Sequence, residues 1–540
     1  MKFFWRKLLL AFAVATGVLS PATVSFAHAG LLASEPAASS VLAESPTEIV
    51  LRFDESLEPV FESIRILDSS GSVVVTADAR RDNVDHSVVR GKIPLLKDGA
   101  YVVLWRVTSA DGNPVSGTFP FYVGAQQEDV TDLLGDFLHE NHADSSSNTL
   151  SILLRWIVFC GSIVLIGSLV LMSLIARADE LEKRSAIVVW GAWLLAAIGS
   201  AGSLIAYGPS ATGSSSLNVS LLGETLQTAF GQMTAIRLLL LACLGVAITR
   251  RCRLTQSRWT ILVLAASALI ILTFSLSGHA VVQSPAALSV LIDAVHLSGA
   301  SAWIGGVVML GLGGKSWYEN HDGRAIRRFS RLAGWCVPTI VVTGLAQAWL
   351  MMGSFPALFT TAYGRTLLVK TSAVLIVIAL GLLLRITLRS KGPASVKRIV
   401  GIEAIVGIVI IAITSLLVGT PTREVPTTKP FTAALVRSSV IANITITPAR
   451  VGRAEIHITV VPPGGAFDLV ASVTAQMSLP ERNIPNTQIE LTKVGPNHFV
   501  GIADITYPGE WHLDVIVLPN SSTTPADQTL LYQTRFTATK

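Results

Sequence analysis

The 540-residue sequence predicts a multidomain membrane protein: an exported β-sandwich, an eight-helix transmembrane α bundle, and a second exported β-sandwich at the C-terminal end. Three observations predict it. The chain is 51% hydrophobic and only 14% charged, and its apolar residues gather in the middle in blocks long enough to cross roughly 30 Å of hydrocarbon. Its first residues have the pattern of a secretory signal. Both flanks of the apolar region are built from short, partly alternating segments separated by turn residues.

The signal comes first. Lys2, Arg6 and Lys7 precede an apolar run from Leu8 to Val18, and small residues at Ser25 and Ala27 form a cleavage site, so residues 1–27 are expected to be removed. Cleavage after Ala27 leaves His28 with a free α-amine. Residues 28–124 form the first β domain, with strand patterns TEIVLRF, FESIRIL, SVVRGKI, AYVVLWRV and GTFPFYV. Val103, Trp105 and Val107 oppose Leu104 and Arg106, the alternation of a sheet with one buried face. Residues 125–147, with Asp136, His139, Glu140, His142 and Asp144, read as a solvated linker; the alternative is a tract that gathers metal.

The membrane domain covers 148–420 in eight spans: Asn148 to Ile175, Ala186 to Tyr207, Gln232 to Thr249, Trp259 to Ser277, Ala287 to Gly313, Leu332 to Met352, Thr366 to Leu388 and Val400 to Gly419. Lys and Arg crowd the loops after spans one, three, five and seven, whereas the alternate loops contain only Arg365. Positive loops stay cytoplasmic, which places both tails outside. The net charge of +5 is thus a topology signal and implies no nucleic-acid partner. Cys160, Cys243, Cys252 and Cys336 all fall within spans or on the cytoplasmic side, so neither tail has a disulfide. A Pro- and Thr-rich linker (421–437) leads to the last β domain (438–540), where His457, His498 and His512 read as surface or packing residues of strands, a metal role being the alternative.

An amino-terminal histidine closes a chelate through its amine and ring, and copper(II) favours tetragonal N and O donors. A third donor is available in WRVTSADGNPVSGTF, where Asp111 projects from a polar turn after a strand; the alternative is that Asp111 only begins a D-G turn. The exported HAxL start and the motif from Trp105 to Phe119 resemble the CopC copper-binding domain. The eight-span block, with YGRTLLVK and HLSGASAWIGG, resembles CopD, and the tail resembles the YtkA-like domain, with P-G-x-W among its cues. The CopC resemblance implies copper(II) held by the amine and imidazole of His28 and by Asp111. In that family a histidine also ligates from a D-G-H-P motif; here Asn113 stands in its place, and His86 is one candidate replacement. No methionine lies between His28 and Asn148, so this domain is expected to hold copper(II) only.

Ionisable residues inside spans are costly and point to function. Asp293 and His296 share one face of span five, His296 roughly 13 Å deep, and His279 closes span four on the outer side. They read as a metal path, with Asp293 orienting or neutralising His296; the alternative is a helix-to-helix hydrogen bond. Met351 and Met352 are expected to face lipid, Arg155, Arg237 and Lys370 to snorkel or to pair with Asp293, and Glu403 to pair with Arg398 or act as an exit ligand. No ATP-binding loop, phosphorylation segment or CxxC occurs. The expected function is copper binding outside the plasma membrane and copper uptake across it, with copper and the lipid bilayer as partners. A non-transporting copper scaffold is the alternative; a haem- or flavin-bearing reductase ranks third, so no enzyme is expected.

Overall fold

A computed structural model of the chain describes residues 29–36, 41, 42, 44–124, 145–174, 183–213, 218–251, 255–312, 324–352, 355–387, 393–420, 431–437, 440–447, 449–461, 470–495, 497–519 and 529–538. The expected signal peptide, His28, the tract bearing His139 and His142, Cys252 and the segment Pro421 to Pro430 lie outside the described residues.

The first domain contains β1 (Leu31–Glu35), β2 (Val41–Leu42), β3 (Glu48–Phe53), β4 (Ser63–Asp68), β5 (Val73–Arg81), β6 (Val88–Lys92), β7 (Gly99–Thr108) and β8 (Pro114–Val123). They follow the order β1-β3-β6-β5-β4-β7-β8-β2. The first half of β5 pairs with β4 and the second half with β6, so one strand joins the two layers. Leu51, Phe53, Val103, Trp105, Val107 and Phe121 fill the core. Trp105 stands opposite Gly117 across β7 and β8. Any Cβ at 117 would overlap the Trp105 indole, so the missing side chain makes room for the ring, which meets Phe53 edge-on at 5.2 Å.

Among the described residues, eight helices have the length and apolarity to cross a membrane: α1 (Thr149–Leu174), α2 (Arg184–Thr212), α3 (Ala229–Thr249), α4 (Gln256–Ser275), α5 (Ala286–Leu312), α6 (Ile326–Met352), α7 (Ala362–Leu382) and α8 (Val400–Val418). They overlap the eight predicted spans one for one, with ends shifted by up to six residues. Residues Ser301–Gly305 of α5 form a π segment, where the chain crosses α1 at close range.

The C-terminal region contains β9 (Phe431–Arg437), β10 (Val440–Thr447), β11 (Gly452–Val461), β12 (Val470–Leu479), β13 (Ile484–Ile489), β14 (Leu491–Gly495), β15 (His498–Ile505), β16 (Gly509–Pro519) and β17 (Leu530–Ala538). A five-stranded sheet (β14-β15-β11-β10-β9) and a four-stranded sheet (β13-β12-β16-β17) share one core that includes Ile456, Ile458, Trp511 and Val515.

Candidate functional site at the junction of the β domain and the helices

The turn after β7 is held by its own backbone and by one carboxylate oxygen. Ser109 N–H donates to the Asn113 carbonyl (3.0 Å), Gly112 N–H to the Ser109 carbonyl (2.9 Å), and Asn113 N–H to Asp111 Oδ1 (3.0 Å). Gly112 has φ 84°, a left-handed conformation that favours glycine. With Oδ1 fixing the turn, Oδ2 is directed to a different domain.

That domain is the helical bundle. Phe61 meets Tyr207 of α2 at 6.1 Å, and Tyr207 stacks on Phe230 of α3 at 4.5 Å. Arg106 of β7 reaches the Ser210 carbonyl. Glu58 accepts a hydrogen bond from Ala229 N–H (3.1 Å) at the first turn of α3, where the helix dipole favours an anion. These contacts seat the Asp111 turn on the loop between α4 and α5.

There His279 Nδ1 lies 2.7 Å from Asp111 Oδ2, and its Nε2 lies 3.1 Å from the Val418 carbonyl at the end of α8. A carbonyl only accepts, and so does an ionised carboxylate, so with Asp111 ionised both ring nitrogens donate, the pattern of an imidazolium. Burial works against that charge, but the hydrogen bond and charge of Asp111, helped by the Val418 carbonyl, outweigh it and raise the His279 pKa. The two side chains are 10% and 0% exposed.

A continuous cavity of about 1480 Å³ opens beneath this pair. Ala29, Asp111 and His279 line one part of it, Asp293, His296 and Lys370 another, and Met351 and Met352 also border it. Asp293 accepts from Ser275 Oγ (2.6 Å) and Gln347 Nε2 (2.8 Å). His296 Nδ1 lies 3.0 Å from Thr343 Oγ1, whose own hydroxyl donates to the Thr339 carbonyl (2.6 Å). The threonine oxygen therefore accepts from Nδ1–H, which leaves Nε2 as the nitrogen with the free lone pair.

Three segments of the chain match known families. Residues 31–124 match the CopC domain, 145–287 the N-terminal domain of copper resistance protein D-like proteins, and 323–417 copper resistance protein D. The chain is a CopC–CopD fusion. It is 29% identical over 482 residues to the copper transport protein CutJ of Bacillus subtilis, covering 85% of this chain and 86% of that one. It is 34% identical over 121 residues to protein YobA of Escherichia coli K12, covering 22% and 95%. The crystal structure of CopC from Methylosinus trichosporium OB3b is 37% identical, covering 19% of this chain and 98% of that one, with a TM-score of 0.18. The CopC and CopD families are copper-binding and transport proteins, and eight apolar helices with a CopD domain make the fusion a multi-pass membrane protein.

Among the residues singled out from sequence, Asp111 and His279 touch, whereas Asp293 and His296 share the cavity but have different hydrogen-bond partners. His296 is oriented by Thr343, not by Asp293. His86 is exposed in the turn before β6 and is not part of the cavity wall. Met351 and Met352 do not face lipid as expected: both line the cavity, and Met351 Sδ accepts from Tyr363 O–H (3.1 Å). Arg237 does not snorkel. It is 3% exposed, donates to Thr273 Oγ1 (2.9 Å) and stacks 3.6 Å over Phe274. Arg155 borders the cavity and reaches the Ser415 carbonyl. Glu403 is buried, with the side chain of Arg398, its expected mate, outside the described residues. Among the described residues no three His, Cys, Asp or Glu side chains assemble into a complete metal cage.

Glu58 had no sequence signal. Burial, only partly offset by the Ala229 N–H and Arg81, raises its pKa from 4.5 to about 7. The folded fusion thus holds this proton more tightly than the unfolded chain, so the Glu58 contribution to stability falls as pH rises from about 4.5 to about 7 and is flat beyond. Glu58→Gln keeps the acceptor for Ala229 and removes the titration. Its melting temperature is expected to match wild type in acid and to exceed it above neutrality; a pH-independent difference would reject this role.

Proposed function

We propose that the fusion captures copper(II) on the side of its β domains and passes copper inward through the helical bundle. The observation that carries this reading is the Asp111–His279 pair at the head of a cavity that continues to Asp293 and His296. The outer ligands are the amine and ring of His28, Asp111 and His279, with cleavage after Ala27 supplying the free amine. Ala29, the next residue, lines the same cavity, which supports that assignment. His279 contributes from the bundle the imidazole that the DGNP turn lacks at Asn113. The arriving ion takes the place of the proton on His279 Nδ1. Deeper in, the free Nε2 of His296 is the next donor, Asp293 supplies negative charge, and the Met351 thioether suits copper after reduction.

The export signal and the Lys- and Arg-rich alternate loops support a plasma-membrane protein with both β domains outside, the C-terminal one as a YtkA-like domain. A potential negative inside favours inward movement of a cation by about 2.3 kcal/mol per charge per 100 mV. Uptake is therefore the favoured direction. Proteoliposomes with the pure protein should accumulate copper, and His296→Ala should reduce the initial rate roughly tenfold, the order expected for losing a group that holds the ion. Equal accumulation in the two would sink the transport route and favour a scaffold whose helices only anchor it.

A further inference from the structure

The alternation of β11 and β15 places two histidines on the wrong side of their sheet. Ile456 and Ile458 of β11, with Phe499 and Ala503 of β15, face the common core. His457 and His498 therefore stand on the opposite face, where a strand normally meets water. They are nevertheless 5% and 0% exposed. Thr459 pairs across with His498 and His457 with Val500, so the two rings are diagonal neighbours. They lie 26° from parallel with centroids 5.3 Å apart, and His457 Nδ1 is 3.1 Å from His498 Nε2.

One proton can occupy that N···N line, because both rings cannot donate to each other. Glu455 Oε1, 3.6 Å from His457 Nε2, is too distant for a hydrogen bond, but its charge favours the tautomer with the proton on Nε2. His457 then presents a bare Nδ1 lone pair to His498. The remaining nitrogen, His498 Nδ1, is buried and has no hydrogen-bond partner among the described residues.

We infer that His457 Nδ1 and His498 Nε2 form a buried two-coordinate site for a monovalent copper ion. The ion replaces the shared proton, which moves to His498 Nδ1. Bonds of roughly 2 Å each require the nitrogens to separate from 3.1 Å to about 4 Å, a small ring rotation. Two neutral donors bring no charge to a buried position, which disfavours a divalent ion, whereas a closed-shell monovalent ion accepts two donors in line. Imidazole suits copper, and the charge of Glu455 behind His457 favours the tautomer that leaves Nδ1 for the metal. The choice of copper over silver as the natural ion rests on the proposed function; the site geometry does not.

The test uses the full chain in detergent with His279→Ala and His296→Ala, which disable the proposed path, titrated with copper(I) under a reductant against a chromogenic chelator. One equivalent should be retained, with the X-ray absorption edge of two-coordinate copper(I), and adding His498→Gln should weaken it at least a hundredfold. Retention of no copper(I), or identical retention after His498→Gln, would overturn the site. Because removing a buried imidazole can unfold the sandwich, a second measurement needs no variant there: silver(I) added to the same chain with 15N-labelled histidine should shift both ring nitrogens of one histidine, one taking the metal and the other the proton, together with one nitrogen of a second. Unmoved histidine signals overturn it equally. Neither result depends on whether proteoliposomes accumulate copper, so the two readings fail separately.

Discussion

With His279 in the proposed outer site, its replacement by alanine is expected to lower copper(II) affinity by two orders of magnitude or more and to loosen the β domain from the helices at the same time. The Asp111 side chain is fully buried, and its Oδ2 faces His279 across 2.7 Å. Loss of the imidazolium strands a carboxylate in the junction, an effect of about 3–5 kcal/mol where one member of a buried pair is removed. The double variant Asp111→Ala/His279→Ala should be less damaged than the sum of the single ones, with a coupling of roughly 2 kcal/mol. His279→Gln separates the two roles, because its amide N–H still donates to Asp111 but offers no imidazole to the metal. It should keep the domains together in denaturant unfolding while copper(II) titration shows the loss. Strict additivity in the cycle, or full affinity in His279→Gln, would remove His279 from the outer site.

The pair also shows where reading the sequence stops. The eight spans were legible because hydrocarbon demands long apolar runs, and the first β domain because its strands partly alternate between turn signals; the structure adds that the Trp105 ring needs Gly117 across from it. Asp111 was legible through its turn. Its partner was not, since 168 residues separate Asp111 from His279 and their meeting depends on how two domains dock. Hydropathy likewise cannot tell a methionine facing lipid from one facing a cavity, so Met351 and Met352 were misread. Arg237 was misread because a snorkelling cation and one held by Thr273 and Phe274 look alike in sequence. His457 and His498 read in sequence as surface or packing residues of strands, and only the structure shows that both are buried on the sheet face opposite the core. β5 escaped notice because its polar, partly exposed pattern changes partners midway.

Gly167→Ala should destabilise the bundle by about 3 kcal/mol, although alanine is intrinsically the better helix former by about 1 kcal/mol. A methyl group at 167 would overlap the Ser301 carbonyl oxygen and come within 2.6 Å of Gly305 Cα, while one at Gly305 would overlap the Ile163 carbonyl. Here α1 and the π segment of α5 touch backbone to backbone, and neither can yield by turning a side chain. Gly191 in α2 is the internal control, since a methyl there meets nothing within 4 Å. Gly191→Ala should be neutral or stabilising by up to about 1 kcal/mol, so identical chemistry gives opposite signs at two helix positions. The effect should reach the cavity, because the π segment begins five residues after His296 on the same span. Displacing it moves His296 relative to Thr343, and the proposed copper transport should fall with stability for Gly167→Ala but not for Gly191→Ala. Equal unfolding midpoints for the two alanine variants would mean that the crossing is looser than the backbone contact requires.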